Sequence, residues 1–365
     1  MNPPKITIIG AGNGGQAMAG HCAALGVHVC LYNRDMEHIF SIAQSHLIRL
    51  EGVLEEEGYI DLITDDIKEA VEFSNIILIV TTATAHRNIA EQILPYLKDG
   101  QIIILNPGRT CGVLEIANIL AKRPNLNIHI AEAQTLVYAC RILSPGVVNI
   151  IGVKDRVMLS GRNMDETELI LNQIRSIFPC FIPAKNLIHT SLENIGAIFH
   201  PAVVLFNAAT IERNNPFYFY RDITPNVASF IQKLDEERLN IGKAYGVNLM
   251  AVYDWMTYAY PGTWGNGLCE RMRNNPAYHD ILGPGSIFTR QLTEDIPTGL
   301  IPMSELGKKV GISTPLMDSI IILSSALLGI DFKWQGRTLE NLGLSHLEKD
   351  DILNLLSLIH ISEPT

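Results

Sequence analysis

The chain has 365 residues, of which 47% are hydrophobic and 18% are charged, so it can form a sizeable core and is not intrinsically disordered. Its formal net charge is −10, and no basic stripe or block of lysine and arginine occurs along it. This pattern argues against nucleic acid and against an anionic membrane surface as partners. It does not exclude a small anionic substrate, because a few local arginines are enough to bind one.

The cysteine pattern and the ends of the chain bear on the compartment. The six cysteines are scattered without any C-x-x-C pair, which indicates free thiols and no metal site. No signal peptide precedes the first predicted strand, and the apolar stretch 319–330 is too short to span a bilayer. We therefore expect a cytoplasmic protein. Residues 356–365 are expected to be a non-native tail, and the fold prediction leaves them out.

The first predicted elements are a buried strand, a glycine loop and a helix. Residues 6–9 form a β-branched apolar run, as in a strand that is buried on both faces. The loop after it fits the pattern G-x-G-x-x-G, and residues 16–25 read as a helix. This context predicts a dinucleotide site at a helix N-terminus, where glycines let the pyrophosphate approach the backbone. The cofactor-binding residues predicted in this loop are Gly10, Gly12, Asn13, Gly14 and Gly15.

Strands alternate with helices in the first half of the chain, whereas helical periodicity dominates the second half. The alternation predicts βαβ units and a parallel sheet. We predict an α/β fold with an N-terminal Rossmann-type doubly wound domain, residues 1–184, followed by an all-helical substrate and catalytic domain, residues 185–355. In the second domain, residues 191–209 predict one continuous helix, and Thr224 with Pro225 predicts the start of another.

Three further loops follow predicted strands of the first domain. In a doubly wound sheet the ligand lies along the carboxyl ends of the strands, so these loops are candidates for ligand contact. Each of them read alone is an ordinary turn between a strand and a helix. We assign Thr81 and Asn106 to the cofactor and Gln134 to the substrate.

The end of the second predicted strand bears on the choice between NAD and NADP. An acidic residue is expected there to bind the adenosine 2′-hydroxyl, but this sequence has Asn33 followed by Arg34. Because an arginine pairs well with a 2′-phosphate, we predict that both residues bind the cofactor and that NADP is preferred. Asp35 leaves NAD open, and Arg34 could also be a solvated loop cation.

The second domain contains a histidine and a charged cluster that could carry chemistry. His200 lies in an apolar predicted helix, where a histidine is more often a core residue than a catalyst, with polar Asn207 one turn or two away. Arg290 and Asp295 follow a glycine-proline loop, and from composition alone they are a surface charge cluster.

Several motifs, taken in order, resemble the octopine/nopaline (opine) dehydrogenase family up to about residue 355. They are the glycine loop, residues 106–110, 132–135, 138–141, His200-Pro201, residues 235–239, and the segment from Arg290 to Leu300. The first motif is generic, while the later ones together are fairly specific. The resemblance implies a catalytic His200 with the acidic partner Asp295 and a substrate-binding Arg290, and we add Asn207 and Gln134 as substrate contacts.

The activity implied by this resemblance is the NAD(P)H-dependent reductive condensation of a 2-oxo acid with the amino group of an amino acid. A guanidinium fork suits the carboxylate of the oxo acid, and a histidine suits proton transfer near neutral pH. Two alternatives remain. One is a reductase of a 2-oxo or 2-hydroxy acid similar to ketopantoate reductase or glycerol-3-phosphate dehydrogenase, and the other is a non-catalytic NADP-binding module. The oligomeric state is open, with a homodimer among the options.

Overall fold

The structure is a computed structural model that describes residues 4–354 except residues 261, 349 and 353. The predicted tail, residues 356–365, therefore lies outside the described residues. The chain divides into two compact units. Among the described residues, the first comprises residues 4–190 together with Asn354, and the second begins at Ser191. The predicted domain boundary at residues 184 and 185 precedes this division and stays a prediction.

The first unit contains twelve strands and seven α-helices among its described residues, and the seventh α-helix runs across the division between the units. The strands are β1 (Lys5–Ile9), β2 (His28–Tyr32), β3 (Leu47–Gly52), β4 (Glu56–Tyr59), β5 (Leu62–Thr64), β6 (Ile76–Ile79), β7 (Ile102–Leu105), β8 (His129–Ala133), β9 (Tyr138–Ser144), β10 (Val147–Val153), β11 (Val157–Gly161) and β12 (Phe181–Pro183). The helices are α1 (Asn13–Ala24), α2 (Phe40–Ser45), α3 (Ile67–Phe73), α4 (His86–Ile93), α5 (Gly112–Leu120), α6 (Met164–Ile174) and α7 (Leu187–Leu192).

An eight-stranded sheet forms the centre of the first unit, in the order β12-β11-β8-β7-β6-β1-β2-β5. Its neighbours pair in parallel except for β11 and β8, which are antiparallel. The chain builds outward from β1 to β2 on one side and continues with β6 on the other, which creates a topological switch point between β1 and β6. In such a sheet the ligand crevice lies outside the carboxyl ends of the strands at that point. The observed topology confirms the predicted fold of the first domain.

A smaller sheet, in the order β4-β3-β10-β9, was not fully predicted from the sequence. The sequence indicated an extra strand at β10, but not its partner β3, which pairs with it in parallel from Arg49 opposite Val147. Helix α1 packs on this sheet closely enough that a side chain at Gly58 would lie 2.2 Å from the carbonyl oxygen of Gly20. The helix that follows the glycine loop therefore packs against strands of both sheets.

The regular elements in the described residues of the second unit are helices, as predicted, apart from an isolated antiparallel bridge between Tyr218 and Leu282. Its helices are α8 (Ile195–Phe206), α9 (Ala208–Glu212), α10 (Pro225–Ala244), α11 (Val252–Ala259), α12 (Leu268–Arg273), α13 (Arg290–Thr293), α14 (Ile301–Lys309), α15 (Pro315–Leu328) and α16 (Phe332–Gln335), with a π-helical turn over Ile296–Leu300. Thr224 caps α10, since its hydroxyl accepts a hydrogen bond from the backbone N–H of Val227.

The continuous helix predicted over residues 191–209 is wrong. It is interrupted at Glu193 and Asn194 and again at Asn207, which separates α7, α8 and α9. The Glu193 carboxylate accepts a hydrogen bond from the backbone N–H of Met250, so a tertiary contact determines the backbone at the first break.

In the described part of the chain no helix combines the length and the apolar character that crossing a membrane requires.

Candidate active site

The glycine loop between β1 and α1 has the geometry of a dinucleotide cradle. Gly10 has a φ of +107°, and a Cβ there would lie 2.7 Å from the carbonyl oxygen of Val80 at the end of β6. At Gly15 a Cβ would lie 1.7 Å from the carbonyl oxygen of Gly10, so only glycine allows α1 to cross the strand this closely. A Cβ at Gly12 would meet nothing within 4 Å. The loop thus uses Gly10 and Gly15 for its own packing and presents Gly12 to open space.

The N-terminus of α1 is suited to a phosphate group. Gly12 is its N-cap residue and has no side chain with which to satisfy the first N–H groups, and the first turn carries no acidic residue. Those N–H groups and the positive end of the helix dipole attract an anion. The side-chain oxygen of Asn13 already has a partner within the protein, because it accepts a hydrogen bond from the backbone N–H of Ile142. This bond ties β9 to the loop.

A half-buried lysine supports the segment that covers the loop. Lys154 donates a hydrogen bond of 2.7 Å to the carbonyl oxygen of Leu136, and the Leu136 side chain lies 2.9 Å from the position of a Cβ on Gly14. Burial lowers the pKa of Lys154 to about 8. The neighbouring thiols Cys140 and Cys180 oppose this shift only in part.

The two residues predicted to select the cofactor lie just beyond β2. The Asn33 side chain donates to the carbonyl oxygen of Asp35 at 2.8 Å, which shapes the turn. Arg34 is exposed, and within the described residues its guanidinium forms no ion pair. The position is compatible with a 2′-phosphate, although Arg34 is equally a solvated cation in this structure.

The remaining predicted residues of the first unit differ in accessibility. Thr81 is half-buried, and its methyl group lies 2.6 Å from the position of a Cβ on Gly10. Asn106 is completely buried and donates to the Met18 sulfur, while its Oδ1 has no hydrogen-bond partner among the described residues. The Gln134 side-chain oxygen accepts from the backbone N–H of Met158 at the start of β11. Thr81 thus lies just beyond β6 at the switch point, and Asn106 follows the neighbouring strand β7. The side chain of Gln134 is in part occupied by its bond to β11.

In the second unit, His200 and Asp295 come together although 95 positions separate them in the chain. The Nδ1 of His200 lies 2.7 Å from the Oδ2 of Asp295. Asp295 is almost completely buried, whereas the His200 side chain keeps 23% of its surface exposed. Because a carboxylate only accepts hydrogen bonds, Nδ1 carries the hydrogen, and Nε2 is the nitrogen left for chemistry. This orientation is the one a general acid–base histidine requires.

Close packing between α8 and the π-helical turn brings the two side chains within reach. A Cβ on Gly299 would lie 2.5 Å from the Cβ of Ala197, which is one turn before His200. The backbone N–H of Leu300 donates to the carbonyl oxygen of Asp295, five residues earlier, which is the bond of a π-helix. A larger residue at position 299 would push this turn, and Asp295 with it, away from α8.

Tyr220 is the residue that the sequence analysis missed. Its hydroxyl lies 3.1 Å from the Nε2 of His200, so the cluster contains Asp295, His200 and Tyr220 in a row. The only signal in the sequence is the aromatic run 217–220. That run says nothing about a histidine twenty positions earlier.

Arg290 and Asn207 lie near this cluster in the chain, but their side chains have other partners. The Nε of Arg290 lies 3.4 Å from Glu294, and 61% of the Arg290 side chain is exposed. The Asn207 side chain donates to the carbonyl oxygen of Val203 and closes the end of α8. The structure therefore brings together His200 and Asp295, and it leaves Arg290 extended toward solvent.

The acidic motif at residues 235–239 has a structural function. Arg238 is completely buried, and it donates to Asp235 at 2.7 Å and to the carbonyl oxygens of Leu192 and Met250. Glu237 accepts hydrogen bonds from the first N–H groups of α15. Burial raises the pKa of the Glu237 carboxyl, and these backbone bonds oppose that shift. The motif thus fixes the segment that precedes α8.

The described residues contain no group of three or more histidine, cysteine, aspartate or glutamate side chains that could hold a metal ion. A glycine cradle at the switch point of a doubly wound sheet, followed by a helical unit that carries a histidine–carboxylate pair, defines an NAD(P)-dependent oxidoreductase of two domains.

Comparison with known proteins identifies the family. The family model for the α-helical domain of NAD/NADP octopine/nopaline dehydrogenase matches residues 183–328, and that for the N-terminus of NAD-dependent glycerol-3-phosphate dehydrogenase matches residues 5–110. The chain is 40% identical to an opine dehydrogenase from Arthrobacter sp. (strain 1C) over 342 residues, which cover 93% of this chain and 95% of that protein.

Two solved structures share the fold. Octopine dehydrogenase with NADH and L-arginine has a TM-score of 0.82 at 20% identity, and the match covers 98% of this chain and 99% of that chain. Yersinopine dehydrogenase with bound NADP⁺ has a TM-score of 0.72 at 16% identity over 93% and 95% of the two chains.

The chain belongs to the opine dehydrogenase family. It is an NAD(P)-dependent oxidoreductase that acts on CH–NH donors, and its activity is the reductive condensation of a 2-oxo acid with an amino acid. The predicted family, fold and activity class are confirmed.

Proposed function

We propose that His200 is the general acid–base residue of the condensation and that Asp295 orients it. The observation that carries this proposal is the 2.7 Å hydrogen bond between Nδ1 and the buried carboxylate. Condensation requires protonation of an oxygen that leaves as water, and Nε2 of the oriented imidazole can supply that proton. In this assignment residues 185–355 provide the proton transfer and residues 1–184 bind the dinucleotide.

Arg290 is assigned to the carboxylate of the 2-oxo acid. Its guanidinium is exposed and contacts Glu294 through Nε, so the two terminal nitrogens can still bind a carboxylate side by side. Asn207 and Gln134 are assigned to the substrates through the amide atoms that do not contact the backbone, Oδ1 and Nε2 respectively. The identities of the amino acid and the oxo acid are not part of the assignment.

The dinucleotide is assigned to the glycine loop and the strand ends beside it. Gly10, Gly12, Asn13, Gly14 and Gly15 cradle the pyrophosphate, as the open space at Gly12 and the uncapped helix N-terminus support. Thr81 and the buried Oδ1 of Asn106 flank it. When bound, the nicotinamide supplies the hydride that reduces the imine.

NADPH is the preferred cofactor in this proposal, and Asn33 and Arg34 are the residues that select it. The exposed guanidinium of Arg34 and the absence of an acidic residue at position 33 support the choice. NADH is expected to bind more weakly at the same loop.

Amine dependence tests the function directly. We expect the purified enzyme to oxidise NADPH only when a 2-oxo acid and an amino acid are both present, in a screen of amino acids against pyruvate and 2-oxoglutarate. Oxidation with an oxo acid alone would instead indicate a reductase that needs no amine, and it would contradict the condensation.

A further inference from the structure

Tyr220 is held rigidly against His200 by the surrounding backbone. The backbone N–H of Phe219 donates to the carbonyl oxygen of Ile281 at 2.8 Å, and the N–H of Gly283 donates to the carbonyl oxygen of Phe217. A Cβ on Gly283 would lie 2.3 Å from the Phe217 ring, so these two segments approach as closely as a glycine allows. The backbone segments 217–219 and 281–283 therefore determine where the Tyr220 side chain lies.

Aromatic packing restricts the phenol ring further. Tyr220 stacks on Tyr278 with a centroid distance of 4.1 Å and an interplanar angle of 17°, and it meets Phe219 and Phe199 edge to face. Only 6% of Tyr220 is exposed. Tyr278 donates its own hydroxyl to Tyr260 at 2.9 Å. The ring of Tyr220 is thus fixed, while its hydroxyl hydrogen can still rotate about the C–O bond.

The contact with His200 changes with the protonation of the imidazole. When His200 is neutral, Nδ1 carries the hydrogen for Asp295, so Nε2 accepts and the Tyr220 hydroxyl must donate to it. When His200 is protonated, Nε2–H becomes a donor, and the hydroxyl hydrogen of Tyr220 is released to point elsewhere. Protonated His200 and Tyr220 then present two donors 3.1 Å apart.

An oxygen with two lone pairs can accept from both donors at once. The 3.1 Å separation leaves a position about 3 Å from each, which is the distance of an ordinary hydrogen bond. The His200 side chain keeps 23% of its surface exposed, so the cluster is not sealed from solvent.

We propose that Tyr220 is a second catalytic residue, whose hydroxyl donates to the substrate oxygen beside Nε2 of protonated His200. This role rests on the proposed function of His200. The two donors polarise the carbonyl of the 2-oxo acid while the amine adds to it. The amine nitrogen forms the C–N bond as the carbonyl π electrons move to the oxygen, and one proton then passes from that nitrogen to the oxygen to give the neutral carbinolamine. In the carbinolamine the C–O bond breaks, the hydroxyl takes the proton from Nε2 and leaves as water, and the nitrogen lone pair forms the C=N bond of an iminium. His200 becomes neutral and accepts the Tyr220 hydrogen bond again.

The test compares two tyrosines of the same aromatic cluster. Tyr220→Phe removes the hydroxyl beside His200, and Tyr260→Phe removes a hydroxyl that bonds only to Tyr278 among the contacts of this cluster. We expect Tyr220→Phe to lower kcat about 100-fold with little change in KM for the oxo acid, because the bond strengthens as charge develops on the oxygen. Tyr260→Phe is expected to keep kcat within about threefold, and both variants should keep the melting temperature and NADPH affinity.

Three kinetic outcomes overturn the role of Tyr220. The first is a Tyr220→Phe enzyme with kcat within about threefold of the unsubstituted enzyme, and the second is an equal loss in Tyr260→Phe. The third is a loss that follows a drop in melting temperature, which indicates packing. If the unsubstituted enzyme shows no amine-dependent turnover, the proposed function is wrong, and the role of Tyr220, which rests on it, is wrong as well.

A second measurement needs no variant. The crystal structure of the unsubstituted enzyme with NADP⁺ and oxamate, an analogue of a 2-oxo acid, should place one oxamate oxygen within about 3.2 Å of both the His200 Nε2 and the Tyr220 hydroxyl. An oxamate oxygen that contacts His200 while Tyr220 remains bonded to Nε2 or turns away contradicts the proposal, whatever the stability of Tyr220→Phe.

Discussion

The glycine loop and the His200 cluster differ in the groups that they present, since the loop presents backbone N–H groups and the cluster presents side chains. The loop is built from six consecutive residues, and it works through backbone N–H groups and through the absence of side chains at Gly10, Gly12 and Gly15. The cluster consists of three side chains from positions 200, 220 and 295, each held by a different segment. A phosphate site needs backbone donors and space, whereas a proton-transfer site needs particular functional groups at hydrogen-bond distance.

The largest effect is expected for His200 itself. His200→Ala should lower kcat by about 10²–10⁴-fold, the usual contribution of general acid–base catalysis, because no other group replaces Nε2. NADPH binding, measured by fluorescence titration, should stay unchanged, because the glycine loop lies in the first unit and His200 lies in the second. If His200 were only a core residue, the variant would melt earlier while its folded fraction kept full turnover.

A pair of glycine substitutions separates packing from ligand access within the loop. Gly15→Ala should lower the free energy of unfolding by about 3 kcal/mol, because its Cβ would lie 1.7 Å from a carbonyl oxygen. Gly12→Ala meets nothing within 4 Å, so it should fold normally and yet bind NADPH more weakly. Urea denaturation and cofactor titration of both variants check this. If Gly15→Ala were as stable as Gly12→Ala, or if Gly12→Ala bound NADPH as tightly as the unsubstituted enzyme, then the assignment of Gly15 to packing and of Gly12 to cofactor access would be wrong.

The half-buried Lys154 beside the loop predicts a pH dependence of stability. The pKa of Lys154 is lowered by burial to about 8 in the folded protein, below that of an unfolded lysine. The folded state therefore loses this proton first, and stability rises as the pH increases from about 8 toward 10.4, by at most about 3 kcal/mol. Below pH 8 the penalty for the buried charge is fully present.

Lys154→Met provides the reference for that measurement. Cysteines and tyrosines titrate in both proteins, so the difference in unfolding free energy between the enzyme and this variant isolates the lysine. Between pH 7.5 and pH 10 the unfolding free energy of the unsubstituted enzyme should rise relative to that of Lys154→Met. A difference that is constant over this range would show that Lys154 is not perturbed.

Arg290 tests whether a carboxylate binds on the side of the His200 cluster. Arg290→Ala should raise KM for the 2-oxo acid about tenfold or more, because a charged hydrogen bond contributes about 1.5–3 kcal/mol in both ground and transition states. NADPH affinity should not change. Arg290→Lys should recover only part of the loss, since an ammonium group cannot bind a carboxylate bidentately. A near-neutral Arg290→Ala would identify the residue as a surface cation paired with Glu294.

The smallest effect is expected for Arg34, which is exposed. Arg34→Ala should reduce the preference for NADPH over NADH about tenfold, at the lower end of about 1.5–3 kcal/mol for a charged hydrogen bond. Both cofactors are titrated at one ionic strength, with the exposed Arg156→Ala as control for the loss of a charge in the same unit. Equal affinities of the unsubstituted enzyme for the two cofactors would refute the proposed selectivity.

Prediction from sequence succeeded where structure is local. The strand, loop and helix at residues 5–24 could be predicted because their signals, an apolar β-branched run followed by the glycine spacing, lie within one short segment of the sequence. The helix start at Thr224 and Pro225 follows the same rule, because a cap acts over three residues. The smaller sheet could not be predicted in full, because β3 gains its partner β10 from about a hundred positions later. The predicted helix over residues 191–209 failed at Glu193, where a bond to Met250 outweighs helical propensity.

The sequence by itself determined the dinucleotide loop, the doubly wound first domain and the helical second domain, because glycine spacing and hydrophobic periodicity act between near neighbours. The residues His200 and Asp295 could be named only through the resemblance to a family, since nothing in their spacing relates them. Only the tertiary structure decided that they form a hydrogen bond and that Tyr220 completes the cluster. Close packing at Gly299 and at Gly283 brings the three segments together, and such approaches arise between segments far apart in the chain.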